Sequence, residues 1–120
     1  MKAEIKDIRL IDFDNWNYYP GDSSNFCLAA EAFIGPQGEK GSEIFSFEIC
    51  SPRWLEQNRG HEAHFARHVI ILSEYDEAVV KKAVVDLVDG TTGETWSEIA
   101  QKLARYMFWE FEDYGPLQVK

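Results

Sequence analysis

Residues 25–55 read NFCLAAEAFIGPQGEKGSEIFSFEICSPRWL: two alternating apolar runs, a Gly/Pro-rich turn between them, and a break into Ser51-Pro52-Arg53-Trp54-Leu55. Period-two alternation on both sides of a turn predicts a β-hairpin, and Pro52 behind a capping Ser51 predicts a short helix over 51–58. With Ile34 placed opposite Glu43, the register sets Ala32 against Phe45, Ala30 against Phe47 and Leu28 against Ile49. These facing residues are all apolar, and small side chains meet large ones across the strands. A slip of one residue would turn Glu31, Ser46 and Glu48 into the core, so the register is strongly specified. The hairpin is therefore expected at the centre of a sheet.

The flanking segments supply its neighbours. Lys2 to Phe13 carries Ile5, Ile11 and Phe13 at one parity and Ile8 and Leu10 at the other, which predicts a strand covered on both faces in its second half. Residues 58–67, NRGHEAHFAR, read as a polar loop. Val69-Ile70-Ile71-Leu72 reads as the centre of a strand over 68–75, buried on both sides. Asp76 can cap a helix running to Asp89 and stopped by Gly90, with Val80, Ala83, Val84, Leu87 and Val88 in one stripe. Thr95-Trp96-Ser97-Glu98 is a capping box. The helix it opens places Trp96, Ile99, Ala100, Leu103 and Met107 on one face through about three turns. From Phe108 to Tyr114 the chain returns to alternation and reads as a short extended segment or edge strand.

These elements define an α+β fold: a single antiparallel sheet of about four strands, two main helices packed on one face, and a short helix after the central hairpin. With 120 residues, 45% of them hydrophobic, the chain is read as one domain over 1–120 with a loose tail at 115–120.

Charge narrows the partners. Twelve Lys and Arg stand against 21 Asp and Glu, a formal net charge of -9, the wrong sign for a phosphate backbone or an anionic membrane. No apolar run approaches the roughly 20 residues that span a bilayer, and Met1-Lys2-Ala3-Glu4-Ile5-Lys6 lacks the apolar centre of a signal peptide, so a cytoplasmic location is expected. In the hairpin register Cys27 and Cys50 face each other away from the Phe45/Phe47 side. A cross-strand disulfide is conceivable there, and two free thiols are expected in a reducing compartment.

Candidate chemistry is sparse. His64 and His68 have the i, i+4 spacing that places two imidazoles on one helical face for zinc, and His61 and Glu62 lie beside them. Gly60 argues against a firm helix there, and only one residue separates Glu62 from His64 where the zincin pattern has two. A solvated polar loop is the plainer reading. Gly35 to Ser42 is a hairpin turn rather than a phosphate loop, because Lys40 precedes the last Gly and no helix follows. Glu110 and Glu112 form an alternating carboxylate pair, read as exposed anions. No nucleophile motif, catalytic residue or cofactor site emerges. Residues 12–22, DFDNWNYYPGD, form the most unusual loop and admit two readings. One is an aromatic lid folded over the sheet edge; the other is a partner-binding surface with aromatic anchors among anions. Trp54, Trp96 and Trp109 are assigned to packing.

Several stretches together resemble a known family: Tyr19-Pro20-Gly21-Asp22 with Asn25-Phe26, Phe33-Ile34-Gly35-Pro36, Cys50-Ser51-Pro52-Arg53-Trp54-Leu55, Phe65-Ala66-Arg67-His68, Thr95 to Ala100, and Trp109-Glu110-Phe111-Glu112-Asp113-Tyr114. In these the chain is similar to the immunity protein 8 family of bacterial polymorphic toxin systems. The resemblance implies a non-enzymatic α+β antidote, made beside a secreted or contact-delivered toxin and blocking its toxin domain within the producing cell. Many such toxin domains attack nucleic acid and are basic, so an acidic inhibitor matches them in sign. On physical grounds alone, Asp12, Asp14, Trp16, Tyr18, Tyr19 and Asp22, together with Glu110, Glu112 and Asp113, are the toxin-binding candidates. On that reading, replacing Trp16 and Asp14 by Ala would weaken binding and leave thermal stability nearly unchanged. Two other classes remain open: an intracellular adaptor or regulatory module, and a small metal-dependent hydrolase using His61, His64 and His68.

Overall fold

In the computed structural model, which describes residues 1–113, the two alternating runs pair antiparallel as β2 (Cys27–Pro36) and β3 (Glu43–Cys50). Their register matches the pattern: Ile34 faces Glu43, Ala32 faces Phe45, Ala30 faces Phe47 and Leu28 faces Ile49. In the connecting turn Gly38 and Gly41 take φ of 81° and 90°, left-handed values that a Cβ would strain.

β1 (Ala3–Leu10) pairs antiparallel with the outer side of β2. The far side of β3 is shared by two short strands. Residues Glu48 to Cys50 pair in parallel with β4 (Val69–Ile71), while Phe45 and Ser46 pair antiparallel with β5 (Phe108–Trp109). The sheet thus has five strands, slightly more than expected, because the alternating C-terminal segment contributes β5. With α1 (Pro52–Arg59), α2 (Glu77–Asp89) and α3 (Trp96–Leu103), the architecture is α+β.

Each helix starts where a side chain takes up free backbone N–H groups. Ser51 Oγ accepts from Trp54 N at 3.2 Å and also from Phe26 N at 3.1 Å, so the α1 cap doubles as a tie to the chain entering β2. Asp76 accepts from Ala78 N and Val79 N, and Thr95 Oγ1 accepts from Glu98 N at 3.1 Å. The apolar stripes of α2 and α3 then close over one face of the sheet. Val80, Val84, Val88, Ile99 and Leu103 meet Ala32, Phe45 and Ile49, each no more than 2% exposed.

Four expectations are revised. A β-bulge between Ile5 and Asp7 shifts the parity of β1, so that Ile5, Ile8 and Leu10 share the core side, while the strand ends at Leu10 and leaves Ile11 and Phe13 exposed. β4 is only three residues long and lies at the sheet edge, not buried on both sides: Ile70 packs on the core and Ile71 is 51% exposed. Ala83 turns outward from the α2 stripe. α3 stops at Leu103, and Met107 reaches the core from the turn that follows. The tail at 115–120 lies outside the described residues.

On the sheet face away from α2 and α3, Cys27 and Cys50 stand opposite each other as free thiols with Sγ atoms 2.8 Å apart. Among the described residues, no helix is long and apolar enough to cross a membrane.

Candidate partner-binding surfaces

The loop after β1 is held by its own aromatic residues. Because β1 is an edge strand, its outward carbonyls need donors. The Trp16 indole supplies one, donating to Ile8 O at 3.1 Å, and the ring is only 8% exposed. Lys81 of α2 places its ammonium 4.8 Å from the centre of that ring. Behind it, Phe13, Tyr18, Tyr75 and Phe26 form a chain of edge-to-face contacts with centroids 5.0, 5.2 and 5.5 Å apart. Burial raises the Tyr18 and Tyr75 hydroxyl pKa values above the ordinary tyrosine range. Trp16 is therefore buried against the sheet edge, and Tyr18 is half-buried within the chain of rings.

What the loop leaves outside is Tyr19, 89% exposed, with Asp12 and Asp14 exposed nearby in sequence. Neither of these two carboxylates has a bonded partner among the described residues. Asp14 and Trp16 also line a groove of about 610 Å³ between the β1 edge and α2, together with Arg9, Glu77 and Lys81. Asp22 is different, because it is a clasp. It accepts from Ser24 N and Ser24 Oγ at 2.9 and 2.7 Å and pairs with Arg53 of α1 at 3.0 Å. Those bonds, those from Ser24 foremost, hold its carboxyl below the usual carboxylate range.

The second acidic group is mostly engaged in structure. Glu110 Oε2 accepts from Ile44 N at 2.6 Å while Glu110 N donates to Ile44 O at 3.0 Å, extending the pairing of β5 with β3. Glu112 binds Arg67 at 2.9 Å, and the same guanidinium nitrogen donates to Ala104 O. Asp113 is exposed at φ 61°. Glu112 and Asp113 line a hollow of about 430 Å³ that shares no residue with the groove beside Trp16. The fold thus separates the acidic candidates into two surfaces.

The histidines do not assemble. α1 ends at Arg59, so His64 and His68 lie on no common helix. His64 sits in an exposed turn, its Nε2 3.2 Å from Arg59 O and 3.8 Å from Glu62. His68, at φ 67°, is 4% exposed, with its ring centroid 3.7 Å from that of Phe108 and its Nε2 donating to Ala104 O at 3.2 Å. Among the described residues there is no group of three or more His, Cys, Asp or Glu that could hold a metal ion.

Sequence reasoning missed a third surface. Phe65, Ile71, Tyr106 and Phe108 are 103, 51, 58 and 56% exposed around the β4 and β5 end of the sheet. Phe65 was the available signal, a large aromatic in an otherwise polar loop. The apolar run at 69–72 masked the rest, since it is equally compatible with a buried strand.

The family model of immunity protein 8 matches residues 3–114, nearly the whole chain and all five strands. The chain belongs to the immunity protein 8 family. No curated protein and no solved structure matches it. As an immunity protein 8, the chain belongs to a family whose role implies binding a cognate toxin.

Proposed function

We propose that this protein is a non-enzymatic antidote that binds and neutralises a cognate toxin domain in the cytosol of the cell producing both. The toxin domain is basic, and the acidic, aromatic loop after β1 forms part of the contact. The observation that carries this reading is Tyr19, almost wholly exposed on a loop whose Trp16 is buried and whose Tyr18 is half-buried, with the unpaired carboxylates of Asp12 and Asp14 close to it in sequence. An exposed tyrosine presents much contact area at little entropic cost, and the surrounding negative charge accelerates encounter with a cationic surface. Asp113 extends the negative field elsewhere on the molecule, while Asp22, Glu110 and Glu112 serve chiefly to hold the loops that display it.

The test is calorimetric titration of the protein with a catalytically silenced toxin domain encoded by the adjacent reading frame. Binding is expected to weaken as salt rises, and Tyr19→Ala with Asp14→Ala is expected to weaken it further without unfolding the protein. Failure of the native protein to bind that domain, or to protect cells expressing its active form, would sink the reading.

A further inference from the structure

The two edges of the sheet are treated differently. The β1 edge is covered by Trp16, whose indole bonds to Ile8 O, and α2 lies alongside. The outer edge of β4 pairs with no strand among the described residues. In the parallel ladder Glu48 N donates to His68 O at 2.9 Å and Leu72 N donates to Cys50 O at 3.2 Å. That alternation turns the N–H and C=O groups of Val69 and Ile71 outward. Bare edges accept extended chains, and here the blunting is the three-residue length of the strand.

Beside the edge runs a groove of about 440 Å³ between α1 and the turn before β4, walled by Leu55, Phe65, Ala66, Val69 and Ile71. An adjoining hollow of about 400 Å³ continues past Phe65 to Tyr106 and Arg105. The charge here is less negative than that of the whole molecule. Although acids outnumber bases 21 to 12 in the chain, Arg59, Arg67 and Arg105 line these two depressions against Glu48 and Glu56. Arg59 pairs loosely with Glu48 at 3.7 Å and Arg67 with Glu112 at 2.9 Å, while the Arg105 guanidinium has no bonded partner among the described residues. Exposed aromatics interleaved with arginine around a small apolar groove are the composition of an interface centre.

We propose that this edge receives an extended segment of the toxin domain, which adds a strand beside β4, seats an apolar side chain against Leu55 and Phe65, and lays a carboxylate against Arg67 and Arg105. The proposal rests on the antidote reading above and specifies a contact distinct from the acidic loop. Strand addition supplies affinity through the main chain, the groove selects the side chain, and the arginines select its charge.

Two measurements test it with the silenced toxin domain of the adjacent reading frame as probe. Amide exchange at Val69 and Ile71 is expected to slow in the complex relative to the free protein. Phe65→Ala and Arg105→Glu, both at exposed positions that leave the fold intact, are each expected to weaken binding roughly tenfold or more. If the native protein binds while both variants bind within about twofold of it and both amides exchange unchanged, this proposal fails and the antidote reading stands. If the native protein binds no toxin domain, both fall. Sedimentation of the protein alone showing a dimer that Phe65→Ala dissociates would assign the edge to a second copy of the chain and overturn the proposal.

Discussion

Trp96 and Trp109 donate their indole N–H groups to one atom, Oε1 of Glu43, each at 2.8 Å. That carboxylate stands at the core-facing parity of β3, where an acid would otherwise break the apolar row, and it links α3 and β5 to the start of β3. Removing it leaves two partly buried donors without an acceptor. Glu43→Ala is expected to cost about 2 kcal/mol in urea unfolding, and Glu43→Gln, which keeps an acceptor oxygen, markedly less. Equal losses in the two variants would refute the hydrogen-bond account.

Trp16 and Tyr19 stand at opposite extremes of burial in the loop after β1. Its 8% exposure and its bond to Ile8 O make Trp16→Ala a core deletion, expected to destabilise the fold by about 3–5 kcal/mol. Tyr19→Ala, at an 89% exposed position, is expected to shift stability by no more than about 0.5 kcal/mol. Chemical denaturation of both variants checks the contrast, and a Trp16→Ala protein as stable as the native one would place the ring outside the core.

His68 gives the protein an acid-sensitive point. Desolvation first, and then the nearby Arg67, lowers its pKa below the ordinary 6.5, and its Nδ1 is buried without a partner. The unfolded chain therefore takes up this proton at a higher pH than the folded one. The stability it contributes is complete above pH 6.5 and is lost as the pH falls through that value towards the lowered folded one. Urea midpoints measured across this range should fall more steeply for the native protein than for His68→Asn, a side chain that tolerates the positive φ. Parallel curves would remove His68 from the explanation.

Cys27 and Cys50 are expected to be sluggish thiols. Burial, the largest influence on each, pushes both up from the usual cysteine range, and Cys50 is 0% exposed. Since the thiolate is the reactive form, modification by an aromatic disulfide reagent in the native state should run on the order of tenfold or more slower than in urea. Native and unfolded proteins reacting at the same rate would contradict the geometry.

Much of the fold was legible because its signals are local. The β2/β3 register followed from alternation, since any slip puts charge in the core, and the caps at Ser51, Asp76 and Thr95 followed from side chains that satisfy N–H groups within three residues. The bulge in β1 was not legible, because one inserted residue reverses parity without changing composition. Nor was the edge position of β4, since Val69-Ile70-Ile71 would serve equally well between two layers. The acidic candidates illustrate the same limit. Asp14 and Asp22 look alike in sequence, yet only Asp22, already bonded locally to Ser24, meets Arg53 once α1 has folded back beside the loop.

The sequence by itself determined the hairpin and its register, the helix starts, the negative charge and the family, because alternation, capping and motif spacing act between neighbours or within one paired ladder. Tertiary structure alone decided that Trp16 is buried against the β1 edge, that Glu43 serves two indoles, and that Phe65 and the outer edge of β4 stay open. Those outcomes depend on which distant segments meet, and a side chain's exposure is set by what packs against it, which its own neighbours in the chain do not record.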